Sequence, residues 1–470
     1  MLHKKTIFII VSSLVFLIIF IILLSLIFSS NNNNVIILPL QSTISINDLS
    51  SLFFTNLRTT ITISDKNQEV DLFLLSQDFS FFITQQDIFF NNNDNSKINK
   101  LSNNFYNYEL SSSIKILSNR TKMAFTKYKY GRKATENFFL CDKENCDKKS
   151  VNLNNFNFML VEDPEDKVSG GIGLGAHGYT EYDEINLFNE LYRKKYIKNL
   201  VWFIEYNENK EDKKLVIGKF PYEVNSKYDK DDFEFFNLNN KGISWQIDVT
   251  KITIGENNED NDEYIIKDRI IQFQQDYSWI YGPPKYYKKI KELFFNKYLF
   301  NQCSENTINY QLTEYLYISC NEEISLEDFP PLIIDVNNNL KFELTYEDLF
   351  MKSNGKILFL FISNKIERYF NEKWYFGEPF LKKYTPVYNK KENQIGFYGL
   401  IKKRTSSYKS AGIIGFIFLF ISIGIITYLC LYIFRKYRNK RIRKAAREMK
   451  IEEISSKLIL NKNENKSNNE

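Results

Sequence analysis

The chain has 470 residues, room for two or three domains or one large two-lobed one. Its formal net charge is +5, but "RKYRNKRIRKAAR" (435–447) alone holds eight Lys/Arg and no acid, so the remainder is slightly acidic. That balance excludes nucleic acid as a partner of the main body. The only histidines are His3 and His177, which excludes a His-based triad, a His-rich metal site and most His general-base chemistry.

In chain order, Thr6 to Phe28 is an uncharged apolar run of 23 residues behind Lys4 and Lys5. It reads as a signal anchor or signal peptide within residues 1–30, either of which delivers the next segment to the secretory lumen. "RTTITIS", "VDLFLLS" and "FSFFIT" are β-branched or aromatic runs with partial alternation, the pattern of strands. Asn119-Arg120-Thr121 is a glycosylation sequon facing the lumen in this topology. In that oxidising setting Cys141 pairs with Cys146 in "CDKENC", and Cys303 with Cys320, which flank an alternating segment. A four-Cys zinc site would need a tighter CxxC spacing, so no metal is expected.

"SGGIGLGAHGY" lacks both the GxGxxG spacing and the preceding strand of a dinucleotide site, and no phosphate-loop motif occurs, so no cofactor is expected. "YDEINLFNELYRKKYI" (182–197) and "PPKYYKKIKELFF" read as helices. Between and after them come strand patterns: "LVWFIEY", "KLVIGKF", "WQIDVTKITIG", "YIIKDRIIQF" and "KILFLFIS". Ala411 to Phe434, another uncharged run of 24 residues with Cys430 inside it, reads as a transmembrane helix. The basic residues of 435–470 keep that tail cytosolic. The expected location is a membrane of the secretory or endolysosomal system or the cell surface, with the ectodomain lumenal or extracellular.

The order of these pieces resembles the pepsin-like aspartic peptidase family. "LPL" at Leu38 resembles the start of its mature domain, and "VDLFLLSQDFSFFIT" its first catalytic strand and loop. "KYKYG" resembles its flap, making Tyr130 the flap tyrosine; "GGIGLG" resembles its glycine turn before a helix. "KLVIGKFP" resembles the end of the first lobe, and "WQIDVTKITIGE" the opening of the second. "IIQFQQDYSWIYGPP" fits the second catalytic loop, with Gly282-Pro283 kept, and "WYFGEPFLKKYTPVYNKKENQIGFYG" resembles the closing run. The resemblance implies a mainly β, two-lobed fold with pseudo-twofold symmetry and lobes at 38–225 and 240–402; the two apolar runs add an expected N-terminal and C-terminal transmembrane helix.

The family's chemistry, as implied by the resemblance, uses one Asp per lobe within Asp-Thr/Ser-Gly. The two carboxylates share a proton and activate a water held between them; this dyad is a standard case of coupled carboxyls. No such triplet occurs in this chain. Aligning Gly282-Pro283 puts Gln274-Gln275-Asp276 in the second loop. Matching the shared pentapeptides "QDFSF" and "QDYSW" puts Ser76-Gln77-Asp78 in the first, and a one-residue shift puts Leu75-Ser76-Gln77 there instead. Gln has no titrating proton near neutral pH. Asp78 and Asp276, two positions downstream under the pentapeptide match, are the candidates for a displaced dyad, with the aromatics Phe79, Phe81, Tyr277 and Trp279 expected to pack behind the loops. The expectation is a membrane-anchored peptidase-fold protein without proteolytic activity, its cleft open to a peptide or protein ligand. The alternative is an active endopeptidase using Asp78 and Asp276.

Overall fold

The computed structural model describes residues 35–42, 57–76, 78–85, 105–122, 130–140, 151–163, 168–176, 185–206, 213–238, 244–255, 265–295, 301–310, 313–337, 340–365, 373–399 and 409–467. The chain forms two compact units, Met1–Ile401 and Lys402–Glu470.

The first half of the larger unit holds β1 (Ile36–Ser42), β2 (Leu57–Ile63), β3 (Gln68–Leu75), β4 (Phe81–Thr84), β5 (Lys115–Ile116), β6 (Thr121–Lys122), β7 (Tyr130–Leu140), β8 (Val151–Asp163), β9 (Gly170–Gly173), α1 (Leu187–Arg193), β10 (Val201–Tyr206) and β11 (Lys213–Ile217). Within a 14-stranded sheet, β2-β3-β9-β4-β8-β7 close on themselves through Thr62↔Phe139 and Ile63↔Phe138, forming a six-stranded barrel. Alternation builds it: β2, "LRTTITI", buries every second residue, as a strand with one face on a core must. Of the helix expected over 182–197, only the seven residues of α1 are helical; 182–184 lie outside the described residues and 194–197 leave the helix. Asn186 caps its start by accepting from the Asn189 N–H (3.1 Å), and Lys195, at φ 62°, ends it in the left-handed region.

The second half holds α2 (Pro221–Val224), β12 (Phe233–Asn237), β13 (Gln246–Ile254), β14 (Ile265–Phe273), β15 (Ile280–Tyr281), α3 (Pro284–Phe295), β16 (Cys303–Tyr310), β17 (Thr313–Asn321), β18 (Leu332–Asn337), β19 (Leu340–Leu344), α4 (Tyr346–Leu349), β20 (Phe350–Ser353), β21 (Lys356–Asn364), β22 (Trp374–Phe376), α5 (Glu378–Tyr384), β23 (Val387–Asn389) and β24 (Gln394–Tyr398). Ten of these strands form the second sheet. The run "ILFLFIS" in β21 is buried throughout because both faces are covered: Ile357, Phe359 and Phe361 enter the main core, while Leu358, Leu360 and Ile362 join a satellite cluster. The disulfide Cys303–Cys320 closes the β16–β17 hairpin at directly opposed positions.

The two halves share one antiparallel stretch of the first sheet, ordered β12-β24-β23-β10-β11-β1, with three strands from each half. Its inner face carries Trp202, Tyr388, Leu215 and Ile395 of the main core; its outer face carries Phe203, Val216, Val387 and Phe233.

The smaller unit is α6 (Lys409–Ser467). The expected span at 411–434 falls within this helix, and the expected span at 6–28 lies outside the described residues. The side chains of residues 409–427 lie outside the described set, and among the described residues no helix is long and apolar enough to cross a membrane. The fold is thus mainly β, with two sheets and a six-stranded barrel in the first, and no transmembrane helix is found among the described residues.

Candidate functional site

Each lobe brings one loop to the shared sheet, and the two loops are built alike. β3 runs parallel to β9, which pairs antiparallel with β4; β14 runs parallel to β22, which pairs antiparallel with β15. The loop between β3 and β4 leaves at Leu75, and the loop between β14 and β15 leaves after Phe273. The register ties Leu74 to Ile172 and Phe81, and Phe273 to Phe376 and Ile280. One backbone turn closes each loop: the Asp78 N–H donates to the Leu75 carbonyl, and the Tyr277 N–H to the Gln274 carbonyl, both at 3.3 Å. Leu75 therefore corresponds to Gln274, Ser76 to Gln275, and Asp78 to Tyr277. Asp276 corresponds to position 77, and Gln77 itself lies outside the described residues. The two pentapeptides are one step out of register, because the turn hydrogen bonds set the correspondence and the letters do not. Asp78 and Asp276 are not lobe mates.

The two equivalent positions thus hold Leu75 and Gln274. Leu75 is half-buried against an apolar cluster that includes Phe73, Met159 and Val161. Gln274 is fully buried, and its amide makes no hydrogen bond among the described residues. The Ser76 hydroxyl ties the loops together: its Oγ accepts from the Gln275 N–H (2.7 Å) and the Asp276 N–H (3.3 Å). Gln275 turns its amide down to the Tyr388 hydroxyl on the shared sheet. Burial pushes the Tyr388 phenol far up.

Asp78 is buried, and one carboxylate oxygen serves its own loop. It accepts from the Phe79 N–H (2.6 Å), the Ser80 N–H (2.9 Å) and the Ser80 hydroxyl (2.8 Å). Burial raises its pKa above the ordinary carboxyl range, outweighing those three hydrogen bonds. Asp276 is partly exposed. Of the four loop aromatics, Phe79, Phe81 and Trp279 are buried as expected, whereas Tyr277 stays partly exposed with its ring 6.0 Å from Tyr375. The backbone carbonyl of Tyr277 is used instead, accepting from the Glu378 N–H (2.7 Å).

Sequence reasoning missed the groups that support the loops. Gly173 and Gly377 each lie directly behind one loop: a Cβ on Gly173 would come within 2.4 Å of the Phe79 carbonyl carbon, and one on Gly377 within 2.2 Å of the Tyr277 oxygen. Both glycines sit in stretches that the resemblance singled out, which is the signal that could have found them. Beneath the loops Trp202 stacks on Tyr388 (3.9 Å between centroids), and the Trp245 indole donates to the Leu174 carbonyl (2.6 Å), joining the halves. Asn186 donates to the Phe79 carbonyl (2.7 Å), and the Lys390 ammonium lies 4.1 Å from the Phe79 ring centre. Lys213, buried on β11, pairs with Glu378 at 2.8 Å.

Tyr130 opens β7 at the stem of a hairpin with β6, paired with Lys122; residues 123–129 between them lie outside the described set. Its side chain is exposed, with the Arg120 guanidinium 4.6 Å from the ring centre. Asn119 is exposed in the turn before β6. Cys141 and Cys146 lie outside the described residues. Among the described residues no group of three His, Cys, Asp or Glu side chains could hold a metal ion.

A mainly β protein with one such crossing loop in each half of its larger unit, meeting over a shared sheet, is consistent with a pepsin-like peptidase fold. The family model for eukaryotic aspartyl proteases matches residues 61–399, and the chain belongs to that family. No curated protein matches it.

Proposed function

We propose that this protein is a membrane-anchored, pepsin-like domain that holds an extended peptide or protein segment without cleaving it. The observation that carries the reading is the pairing of Leu75 with Gln274 at the two equivalent loop positions. In the resemblance these are the places of the paired carboxylates. Neither side chain can remove a proton from a water, and an amide cannot share a proton as a carboxyl pair does. Asp78 does not restore the pair, since its carboxylate is engaged by the Phe79 and Ser80 amides, and a displaced carboxylate loses the near-attack geometry. An extended cleft between paired β structures can hold a peptide by strand-like hydrogen bonds without cutting it. The anchoring rests on the uncharged run at 411–434 followed by eight basic residues.

The test is hydrolysis of a broad peptide library by the purified chain from acid to neutral pH, with a statine-type inhibitor as control. No inhibitor-sensitive cleavage is expected, while peptides should be retained measurably in a binding assay. Inhibitor-sensitive cleavage lost in both Asp78→Asn and Asp276→Asn would establish the active alternative.

A further inference from the structure

The helix α6 does not stop where the uncharged run ends. It continues past Phe434 to Ser467, so helical geometry places the residues that follow the run. Five of the eight basic residues come at once: Arg435, Lys436, Arg438, Lys440 and Arg441. At about 100° per residue, counted from Arg435, the other four stand at about 100°, 300°, 140° and 240°. No gap between neighbours round the axis exceeds about 100°, so these cations ring the helix. The ring is shallow, since at about 1.5 Å per residue it is only about 9 Å deep. The remaining three are arranged differently: Arg443, Lys444 and Arg447 fall at about 80°, 180° and 120°, all on one side.

All five ring residues are exposed, and among the described residues none has a carboxylate partner. The first acid after Phe434 is Glu448, which takes Lys444 at 3.8 Å. Tyr432 and Tyr437, both exposed, bracket the start of the ring. Tyrosine favours the layer between apolar chains and water, so the two mark the same depth as the cations.

A ring and a stripe answer to different partners. A folded protein lies against one side of a helix, and cations on the far side gain little from it. A lipid leaflet surrounds a helix that passes through it, and its headgroups meet every side at one depth. The depth of the ring also matches the reach of a charged surface, about 8 Å at physiological ionic strength. Orienting a span asks only for positive charge near its end, on any side.

We infer that Arg435, Lys436, Arg438, Lys440 and Arg441 form a collar that gathers anionic phospholipid around the helix. Each guanidinium offers a headgroup phosphate a two-pronged contact, each ammonium offers a point charge, and the apolar stems lie along the helix toward the leaflet. The inference rests on the reading that residues 411–434 cross the bilayer.

The test reconstitutes the full chain in phosphatidylcholine vesicles holding a trace of phosphatidylserine, or of phosphatidylcholine, spin-labelled near the end of an acyl chain. Electron paramagnetic resonance separates lipid held at the protein from lipid in the bulk. Phosphatidylserine is expected to be held several-fold more strongly than phosphatidylcholine. The preference should fade between about 0.1 M and about 1 M salt, as the screening length drops from about 10 Å to about 3 Å. Arg435→Gln, Lys436→Gln, Arg438→Gln, Lys440→Gln and Arg441→Gln together should abolish it while phosphatidylcholine stays held as before, which reports that the helix is still inserted. Arg443→Gln, Lys444→Gln and Arg447→Gln together should leave most of it. Equal holding of both lipids by the unchanged chain, as a basic run meant for an acidic protein would give, would overturn the collar and leave the span standing. A preference lost with the second set of changes but not with the first would overturn it too. Holding of neither lipid would overturn the span, and the collar with it.

Discussion

Asp78 is a buried carboxyl whose Oδ1 is engaged by its own loop. Its pKa is raised by burial, so the folded state holds its proton more tightly than the unfolded chain does. The stability it confers is full below the ordinary carboxyl range and falls as pH rises through the raised value. Asp78→Asn, which keeps an acceptor for the Phe79 and Ser80 amides, should abolish that falling limb; thermal midpoints of both proteins across acid to neutral pH would read it. Asp78→Ala should cost about 1–3 kcal/mol, because it leaves buried N–H groups unpaired. Ser76 allows a sharper comparison. Ser76→Ala strips the acceptor from the buried Gln275 N–H and should cost about 1–3 kcal/mol in denaturant titrations. Ser76→Thr retains the oxygen and should cost far less; equal losses from the two changes would show that the hydroxyl bond is unimportant.

At the scale of elements, the loops depend on what stands behind them. Gly173→Ala or Gly377→Ala would drive a methyl into loop backbone, which cannot swing aside as a side chain end can. A loss of about 3 kcal/mol or more is expected for each, at the upper end of overpacking costs, read as a lowered denaturation midpoint; a loss under 1 kcal/mol would mean that the loops move freely. The hairpin of the second half has a covalent clamp instead. Replacing both Cys303 and Cys320 by Ser should lower stability by about 3 kcal/mol on the chain-entropy account, given their separation of 17 residues. These elements were unevenly legible in the sequence. Strands such as β2, β3, β13 and β21 followed from alternation and β-branched content, and the hairpin disulfide from spacing. The lobe-to-lobe register did not, because the repeated pentapeptide offered a match one step away from the one imposed by the turn at Leu75 and Gln274. Nor did the glycine contacts, which are fixed by approach of backbone segments about a hundred residues apart in sequence.

For the whole molecule, the lack of an Asp-Thr/Ser-Gly triplet was legible as letters before any geometry was known. What the sequence could not reveal is that a serine hydroxyl joins the two loops, and that Trp245, read only as part of a strand, bonds across to Leu174. The orientation proposed for the chain makes its own prediction. Protease added outside sealed vesicles should remove the tail beyond 434 and spare residues 31–410, the outcome expected where flanking positive charge keeps a tail cytosolic. A protected tail with a digested main body would reverse the orientation.

The shared sheet has a further consequence for how the chain could be cut and rejoined. Among the described residues, its halves meet only along β10 and β23, through Val201↔Asn389, Trp202↔Tyr388 and Phe203↔Val387. A polypeptide ending at Gly218 would own β1, β11 and β10, with β10 exposed as an open edge; one starting at Lys219 would own β12, β24 and β23, with β23 equally open. Each fragment alone would present an unpaired strand to its neighbours and tend to aggregate. Synthesised together, each is the other's missing partner, so the protein is a natural candidate for split-fragment complementation, with the ring pair Trp202–Tyr388 as the latch that reports reassembly.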